Sequence, residues 1–259
     1  MPEPILVARD DRIATVTLNN PDKMNAMNLG MWQGLADAME TLAGDDGLRC
    51  IVLRGAGGKA FSAGADIEEF TRSRQSAAQA RDYGEITHRA MQAIAASRHP
   101  TLALIEGACV GGGLEVASVC DMRICGTSSR FGVPVNKLGL TMSYGELGGL
   151  VALAGSAVAL EIVLEGRVFD AAEALAKRLV NRVVDDAELV EQGYATARRI
   201  AQGAPLVARW HKRFVRRLAD PAPLRADEAD EAYQCFDTED FRIGYRAFLE
   251  KTRPVFVGR

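Results

Sequence analysis

The sequence predicts an α/β fold. Short apolar runs rich in β-branched residues alternate with stretches of helical periodicity, and two of the most apolar runs are followed at once by glycine-rich loops. The chain has 259 residues, 48% hydrophobic and 25% charged, which suits one large globular domain with an appendage.

The elements follow in order. Residues 5–9 (ILVAR) and 13–18 (IATVTL) have strand composition, with Asp10-Asp11 as the hairpin turn. Residues 19–27 (NNPDKMNAM) are a loop. Apolar side chains recur at helical spacing through 28–47, which end in a glycine-rich stop. Cys50–Arg54 is a short buried strand, followed by a glycine-rich loop over 55–70. A helix from Tyr83 ends near Pro100, and Leu102–Glu106 is a second buried strand. Residues 107–121 (GACVGGGLEVASVCD) read as loop then helix, 122–126 (MRICG) as a strand, and 170–184 as a helix and a short strand. The expected division is a core over 1–200 and a helical region over 201–259. Segments 204–220 and 225–251 of that region carry apolar stripes that need cover from the core or from another subunit.

Several function classes are excluded. A net charge of −3 argues against a general nucleic-acid surface. No apolar run reaches the ~20 residues of a membrane span, and the first residues lack the pattern of a signal peptide, so the expectation is a cytoplasmic chain without a membrane partner. Five cysteines lie mostly in apolar runs without a CxxC pair, and three histidines are scattered; buried reduced thiols are expected, and no metal site. GAGGKAF lacks P-loop spacing, GACVGGG does not match GxGxxG, and no serine stands in GxSxG.

What remains is the segment 107–121. Glycines at 111–113 let a backbone approach a ligand and leave amide N–H groups free at a helix start. The loop around Gly64 and Ala65 has the same character. Ligands in α/β sheets bind beyond the carboxyl ends of strands, so both loops are placed at one rim, beyond Cys50–Arg54 and Leu102–Glu106. Two N–H groups converging there would form an oxyanion hole suited to an enolate or a tetrahedral adduct of a thioester. Glu115, in the first turn among apolar neighbours, is a candidate acid or base with a pKa raised by burial. The competing reading is a tight turn and a carboxylate favoured by the helix dipole.

Residues 50–67, 107–126, 131–140 and 164–184, with 239–256, together resemble the enoyl-CoA hydratase/isomerase (crotonase) superfamily in order and spacing, nearly end to end. The resemblance implies a crotonase-like spiral of ββα units with a C-terminal helical trimerisation region, assembled as a homotrimer or a dimer of trimers. It implies an acyl-CoA substrate and no other cofactor. The N–H donors would be those of Ala65 and Gly112. Lys23, Met24, Ala26, Ala63, Ala65, Asp66 and Ile67 would line the coenzyme A site, with Lys251 near the nucleotide.

The chain departs from that pattern in two places. Hydratases that it resembles carry a second glutamate after a proline in a segment like FGxPE; here it is FGVPV, with Val135. Glu146 is the nearby replacement and Tyr144 a second one, although Ser143 and Glu146 also form a capping-box pattern. Arg178 stands where relatives have a helix-ending glycine, and is expected to be strained. The readings kept are a hydratase in which, as the resemblance implies, Glu115 holds and activates the water and Glu146 or solvent completes the proton transfers, an isomerase or decarboxylase using one acid/base group, and a non-catalytic acyl-CoA binder. The polar segment 71–85 is expected to cover the acyl pocket.

Overall fold

Ten strands build two sheets in the computed structural model, which describes residues 3–259. The hairpin β1 (Ile5–Asp10) and β2 (Ile13–Leu18) turns at Asp11 and leads to α1 (Leu29–Ala43), capped by Asn28. Then the chain alternates between sheets. β3 (Cys50–Gly55), β5 (Thr101–Ile105) and β7 (Met122–Gly126) join the first sheet, in the order β1-β2-β3-β5-β7-β10. Each is followed within a few residues by a short strand of the second: β4 (Ala60–Ser62), β6 (Ala108–Val110) and β8 (Arg130–Gly132). Helices close the units: α2 (Phe70–Ser73) with α3 (Ala77–Ala96) after the first, α4 (Gly112–Ser118) after the second, and α5 (Tyr144–Glu165) after the third. This repeated strand–strand–helix step is the expected spiral, and β2-β3-β5-β7 and β4-β6-β8 pair in parallel.

β9 (Phe169–Asp170), α6 (Ala171–Ala176) and β10 (Arg182–Val184) complete both sheets. The core follows from alternation in the strands. Val16, Ile51, Leu53, Ala103 and Ile105 point into one apolar layer with Trp32, Leu35, Met39 and Ile94 of α1 and α3. Their strand neighbours Cys50, Val52, Leu102, Leu104 and Ile124 meet α7 (Leu189–Gln202) on the opposite face. Both faces are buried, which is why these strands read as unbroken apolar runs. Helices α8 (Pro205–Arg217), α9 (Ala226–Glu231) and α10 (Glu239–Glu250) follow. Cys50, Cys109, Cys120 and Cys125 are buried free thiols, as expected, and Cys235 is half-buried.

Three expectations need correction. The second sheet falls largely in segments read as loops, because strands of three residues carry no periodicity. α3 starts at Ala77, not Tyr83: Ser76 caps it by accepting the Gln79 N–H, although the first turns are polar. α5 has 22 residues and a mean hydropathy of 2.1 in its most apolar window, of which only 17% is buried, so one segment does reach spanning length and composition. It is interrupted at Gly155 (φ 82°, ψ 164°), which divides it into two shorter helical pieces.

Arg178 has φ 61°, so the expected left-handed strain just beyond α6 is present.

Candidate active site

The two glycine-rich loops meet because β4 and β6 are parallel neighbours in the second sheet. Residues 63–67 leave the carboxyl end of β4, and 111–113 leave that of β6. The rim predicted from the sequence is therefore real, but it belongs to the second sheet. β3 and β5 only deliver the chain to it. β8, the next parallel neighbour, brings Pro134 and Val135 to the same edge.

Ala65 forms a parallel bridge with Met27. The bridge uses the Gly64 carbonyl, which accepts the Met27 N–H at 2.7 Å, and the Asp66 N–H, which donates to the Met27 carbonyl at 2.9 Å. In such a bridge the middle residue's own N–H points away, so the Ala65 N–H is left free. Gly111 (φ 51°, ψ −122°) turns the chain from β6 into α4 in a conformation closed to other residues. The Gly112 N–H then lies in the first turn of α4, where no intrahelical acceptor exists. A Cβ placed on Gly112 would sit 3.7 Å from the Ala65 nitrogen. The two candidate oxyanion donors are adjacent. Gly113 must be glycine for a different reason: a Cβ there would be 2.5 Å from the Ser62 carbonyl oxygen.

One cavity of about 580 Å³ opens at this rim. Ala63, Ala65, Ile67, Gly112, Glu115, Val135 and Glu146 all line it. The structure thus brings together both candidate donors and both candidate carboxylates. Glu115 is 8% exposed, within a wholly buried α4. Its carboxyl has no hydrogen-bond or ion-pair partner among the described residues. Burial, first, and the charge of Glu146, second, push its pKa up to about 8, against a smaller opposing effect of Arg74.

Glu146 faces the cavity from the first turn of α5. It also completes a capping box: its Oε2 accepts the Ser143 N–H at 2.6 Å, while Ser143 Oγ accepts the Glu146 N–H at 3.4 Å. Both readings of Glu146 from the sequence are thus compatible. His88 fixes the cap from α3, with Nε2 at 2.7 Å from Ser143 Oγ. Tyr144 does not share this position. It is 98% exposed and absent from the cavity wall, since the first turn of α5 points it to solvent.

The remaining candidates for coenzyme A lie outside the cavity lining. Lys23 Nζ pairs with Asp66 Oδ2 at 2.9 Å and Glu68 Oε2 at 2.7 Å, and Asp66 caps a short 3-10 turn by accepting the Glu68 N–H. Met24 accepts the Ala63 N–H at 3.0 Å through its carbonyl, and Ala26 follows in the same loop. These contacts tie residues 23–27 to 63–66 as one platform at the cavity's edge. Lys251 ends α10 at an exposed left-handed position and does not reach the cavity.

Sequence reasoning missed Trp32, Phe70, Arg74 and Arg81, which also line the cavity. Arg74 and Arg81 fall in segment 71–85, which was read as the cover of the acyl pocket; their charge within it was the available signal. Trp32, on α1, has no local signal at all, because its indole reaches Gly112 only through the fold.

A sequence model of the enoyl-CoA hydratase/isomerase family matches residues 8–259. The chain is 32% identical over 259 residues to a crotonyl-CoA hydratase of Syntrophomonas wolfei, covering 99% of both. It is 30% identical over 251 residues to a short-chain-enoyl-CoA hydratase of Clostridium acetobutylicum, covering 96% of this chain and 95% of that one. The structure superimposes on the crystal structure of an enoyl-CoA hydratase/carnithine racemase from Magnetospirillum magneticum with a TM-score of 0.97 and 52% identity, over 99% of this chain and 96% of the other.

Proposed function

The chain belongs to the enoyl-CoA hydratase/isomerase family, and from that premise we propose that its cavity adds water reversibly to the double bond of a 2-enoyl-CoA. The observation that carries this reading is the meeting of two free backbone N–H groups and two carboxylates in one cavity. The thioester oxygen accepts hydrogen bonds from Ala65 and Gly112. Attack of water on C3 drives negative charge onto that oxygen, where fixed donors in a water-poor site stabilise it most. Two such donors contribute on the order of 10²–10³ each to the rate in comparable sites.

The protons are handled by the carboxylate pair. With its pKa at about 8, Glu115 holds its proton at neutral pH and delivers it to C2. Glu146 accepts the proton lost by the attacking water, and the cycle closes when that proton returns to Glu115. Burial thus makes Glu115 the acid, in place of the water-activating role that the resemblance suggests. The platform formed by 23–27 and 63–67 holds the coenzyme A moiety, with Lys23 as its cation; Lys251, remote from the cavity in its own chain, would reach the nucleotide of a neighbouring copy.

The test is loss of thioester conjugation when crotonyl-CoA meets the protein. Hydration should be rapid in wild type and lost in Glu115→Gln. Full activity in that variant would sink the proposal. One observation favours a second reading: Val135 lines the cavity, so its wall is apolar where a second glutamate is expected. A 3-enoyl-CoA isomerase needs a single acid/base group. If Glu146→Gln leaves 3-enoyl-CoA isomerisation intact and wild type does not hydrate crotonyl-CoA, the isomerase is the correct assignment.

The assembly is part of the same proposal. Phe248 is 84% exposed, Leu249 73% and Phe236 55%, all within the 201–259 region, and α5 is mostly uncovered. Further copies of the chain cover these faces in a homotrimer or a dimer of trimers. Light scattering giving a monomer mass would refute it.

A further inference from the structure

The cavity contains a cation that hydration does not use. Arg74 lies just past α2 and lines the cavity. Its guanidinium carbon is 3.8 Å from the Tyr83 ring centroid and 4.7 Å from that of Phe70. Stacking of this kind fixes the plane of the guanidinium and leaves its outer edge free. No carboxylate within the described residues pairs with it. Arg89, on the outer face of α3, shows the contrast, since Asp37 and Glu40 bind it at 2.7 and 2.6 Å.

The surroundings of Arg74 are rich in donors and poor in acceptors. Arg74 Nε, Trp32 Nε1 and the Tyr83 hydroxyl are buried, and none has a hydrogen-bond partner among the described residues. The first two can only donate. Trp32 Nε1 and Arg74 both approach the Tyr83 hydroxyl without reaching hydrogen-bond geometry. Orphaned donors are costly to bury, and the indole N–H of Trp32 beside the Arg74 guanidinium, with the Tyr83 hydroxyl between them, makes this end of the cavity donor-rich. A second arginine, Arg81, lines the cavity further along α3, also without an ion-pair partner among the described residues. Arg74 acts on Glu115 only through space, and Glu115 holds its proton at neutral pH; the charge of Glu69 reaches Tyr83 in the same way, without an ion pair to Arg74 among the described residues.

The position of the patch limits the length of the ligand. Trp32 Cζ2 would be 3.1 Å from a Cβ on Gly112, beside the N–H assigned to the thioester oxygen. Nε1 belongs to the same indole edge, so the donors stand within a short acyl chain of the hole. An acyl group bound at the hole therefore carries its far end to a fixed guanidinium backed by further donors. The chemistry that fits is an acceptor-only anion with two oxygens, which a guanidinium binds through two parallel N–H···O bonds.

We propose that Arg74 recognises a carboxylate at the distal end of a short acyl chain, and that the protein acts on the CoA thioester of an unsaturated dicarboxylic acid. This rests on the hydratase reading for its chemistry, but not for its binding, so the two are tested apart. Binding is measured with a pair of unreactive thioesters, glutaryl-CoA and butyryl-CoA, by calorimetry with the full-length protein. Wild type should bind glutaryl-CoA at least tenfold more tightly. In Arg74→Gln, whose planar amide retains the stacking surface, that ratio should fall to near one, and Arg74→Lys should keep part of it. Turnover is then compared with glutaconyl-CoA and crotonyl-CoA, expecting the same preference in kcat/KM. Equal affinities in wild type would overturn the proposal. So would equal weakening of both ligands in Arg74→Gln, the mark of a merely structural side chain, or loss of the preference in Arg81→Met with its retention in Arg74→Gln. A binding preference without hydration of either enoyl thioester would overturn the hydratase reading alone.

Discussion

The unpaired carboxyl of Glu115 should make the protein less stable as pH rises, and Glu115→Gln should abolish that loss. The side chain is buried beside Glu146, and its pKa is displaced from 4.5 to about 8. At about 1.4 kcal/mol per pH unit, that displacement corresponds to about 5 kcal/mol against the ionised form; residual water in the cavity lowers the expectation to about 3–5 kcal/mol. Below pH 4.5 the group is neutral whether the chain is folded or unfolded, and contributes nothing. Between 4.5 and about 8 the unfolded chain releases the proton and the folded chain keeps it, so folding takes up a proton and stability falls with rising pH. Above about 8 both forms are ionised and the full penalty persists. Glutamine has the same shape and no charge. Urea unfolding of wild type and Glu115→Gln, at one protein concentration and at pH 5, 7 and 9, isolates the effect, because all other groups titrate in both. The variant should gain steadily on wild type, reaching about 3–5 kcal/mol at pH 9. The catalytic counterpart is a kcat/KM that falls about tenfold per pH unit above about 8 as the acid is lost. A stability difference independent of pH would refute the reasoning, since it would mean that Glu115 is solvated or paired in the folded protein.

Other outcomes follow from single contacts. Gly113→Ala places a Cβ 2.5 Å from the Ser62 carbonyl oxygen, so α4 must shift; misplacing the adjacent N–H should lower kcat on crotonyl-CoA about 10²-fold, measured by loss of conjugation. Glu146→Gln keeps an oxygen able to accept the Ser143 N–H, so it should unfold within about 0.5 kcal/mol of wild type while hydration drops at least tenfold. Ser143→Ala removes the cap hydroxyl and should cost about 1 kcal/mol in denaturant unfolding. Arg178→Gly relieves the left-handed strain at φ 61° and should raise stability by about 0.5–1 kcal/mol, the relief of strain exceeding the added backbone entropy of the unfolded chain.

How far the site could be read from the sequence depended on whether the signal was local. Gly111–Gly113 and Glu115 were legible because a positive φ, free N–H groups and an isolated acid are written in adjacent residues. Arg178 was legible for the same reason. The capping role of Glu146 was legible from its spacing to Ser143, whereas its place in the cavity depends on how α5 sits against α4 and the turn over 134–138. The second sheet was not legible. Its strands of two or three residues are held by pairing between distant segments, parallel except for β9 against β8, and each is too short for alternation to show. That omission put the rim on the wrong strands while placing the correct loops together. Trp32 was unreadable as a site residue, since within α1 it is one apolar position among several.

The double use of Glu146 bears on how the site is maintained without the glutamate expected at Val135. A carboxylate needed only for chemistry has to be held by packing that serves no other purpose. Glu146 is instead held by the helix it starts: the Ser143 N–H fixes Oε2, the Ser143 hydroxyl caps the backbone, and His88 fixes that hydroxyl from α3. A Cβ on Gly145 would meet the His88 ring at 2.6 Å, so the cap also requires a small residue between the two ends of the box. Only one carboxylate oxygen is consumed by the cap, which leaves Oε1 without a hydrogen bond among the described residues, on a residue that lines the cavity together with Glu115. The cap therefore supplies the orientation that a proton acceptor needs, and stability and catalysis draw on the same hydrogen bonds. Replacing His88 by leucine should loosen both together, with a lower urea midpoint and a lower kcat. A drop in the midpoint alone would separate the two roles and return Glu146 to a purely structural one.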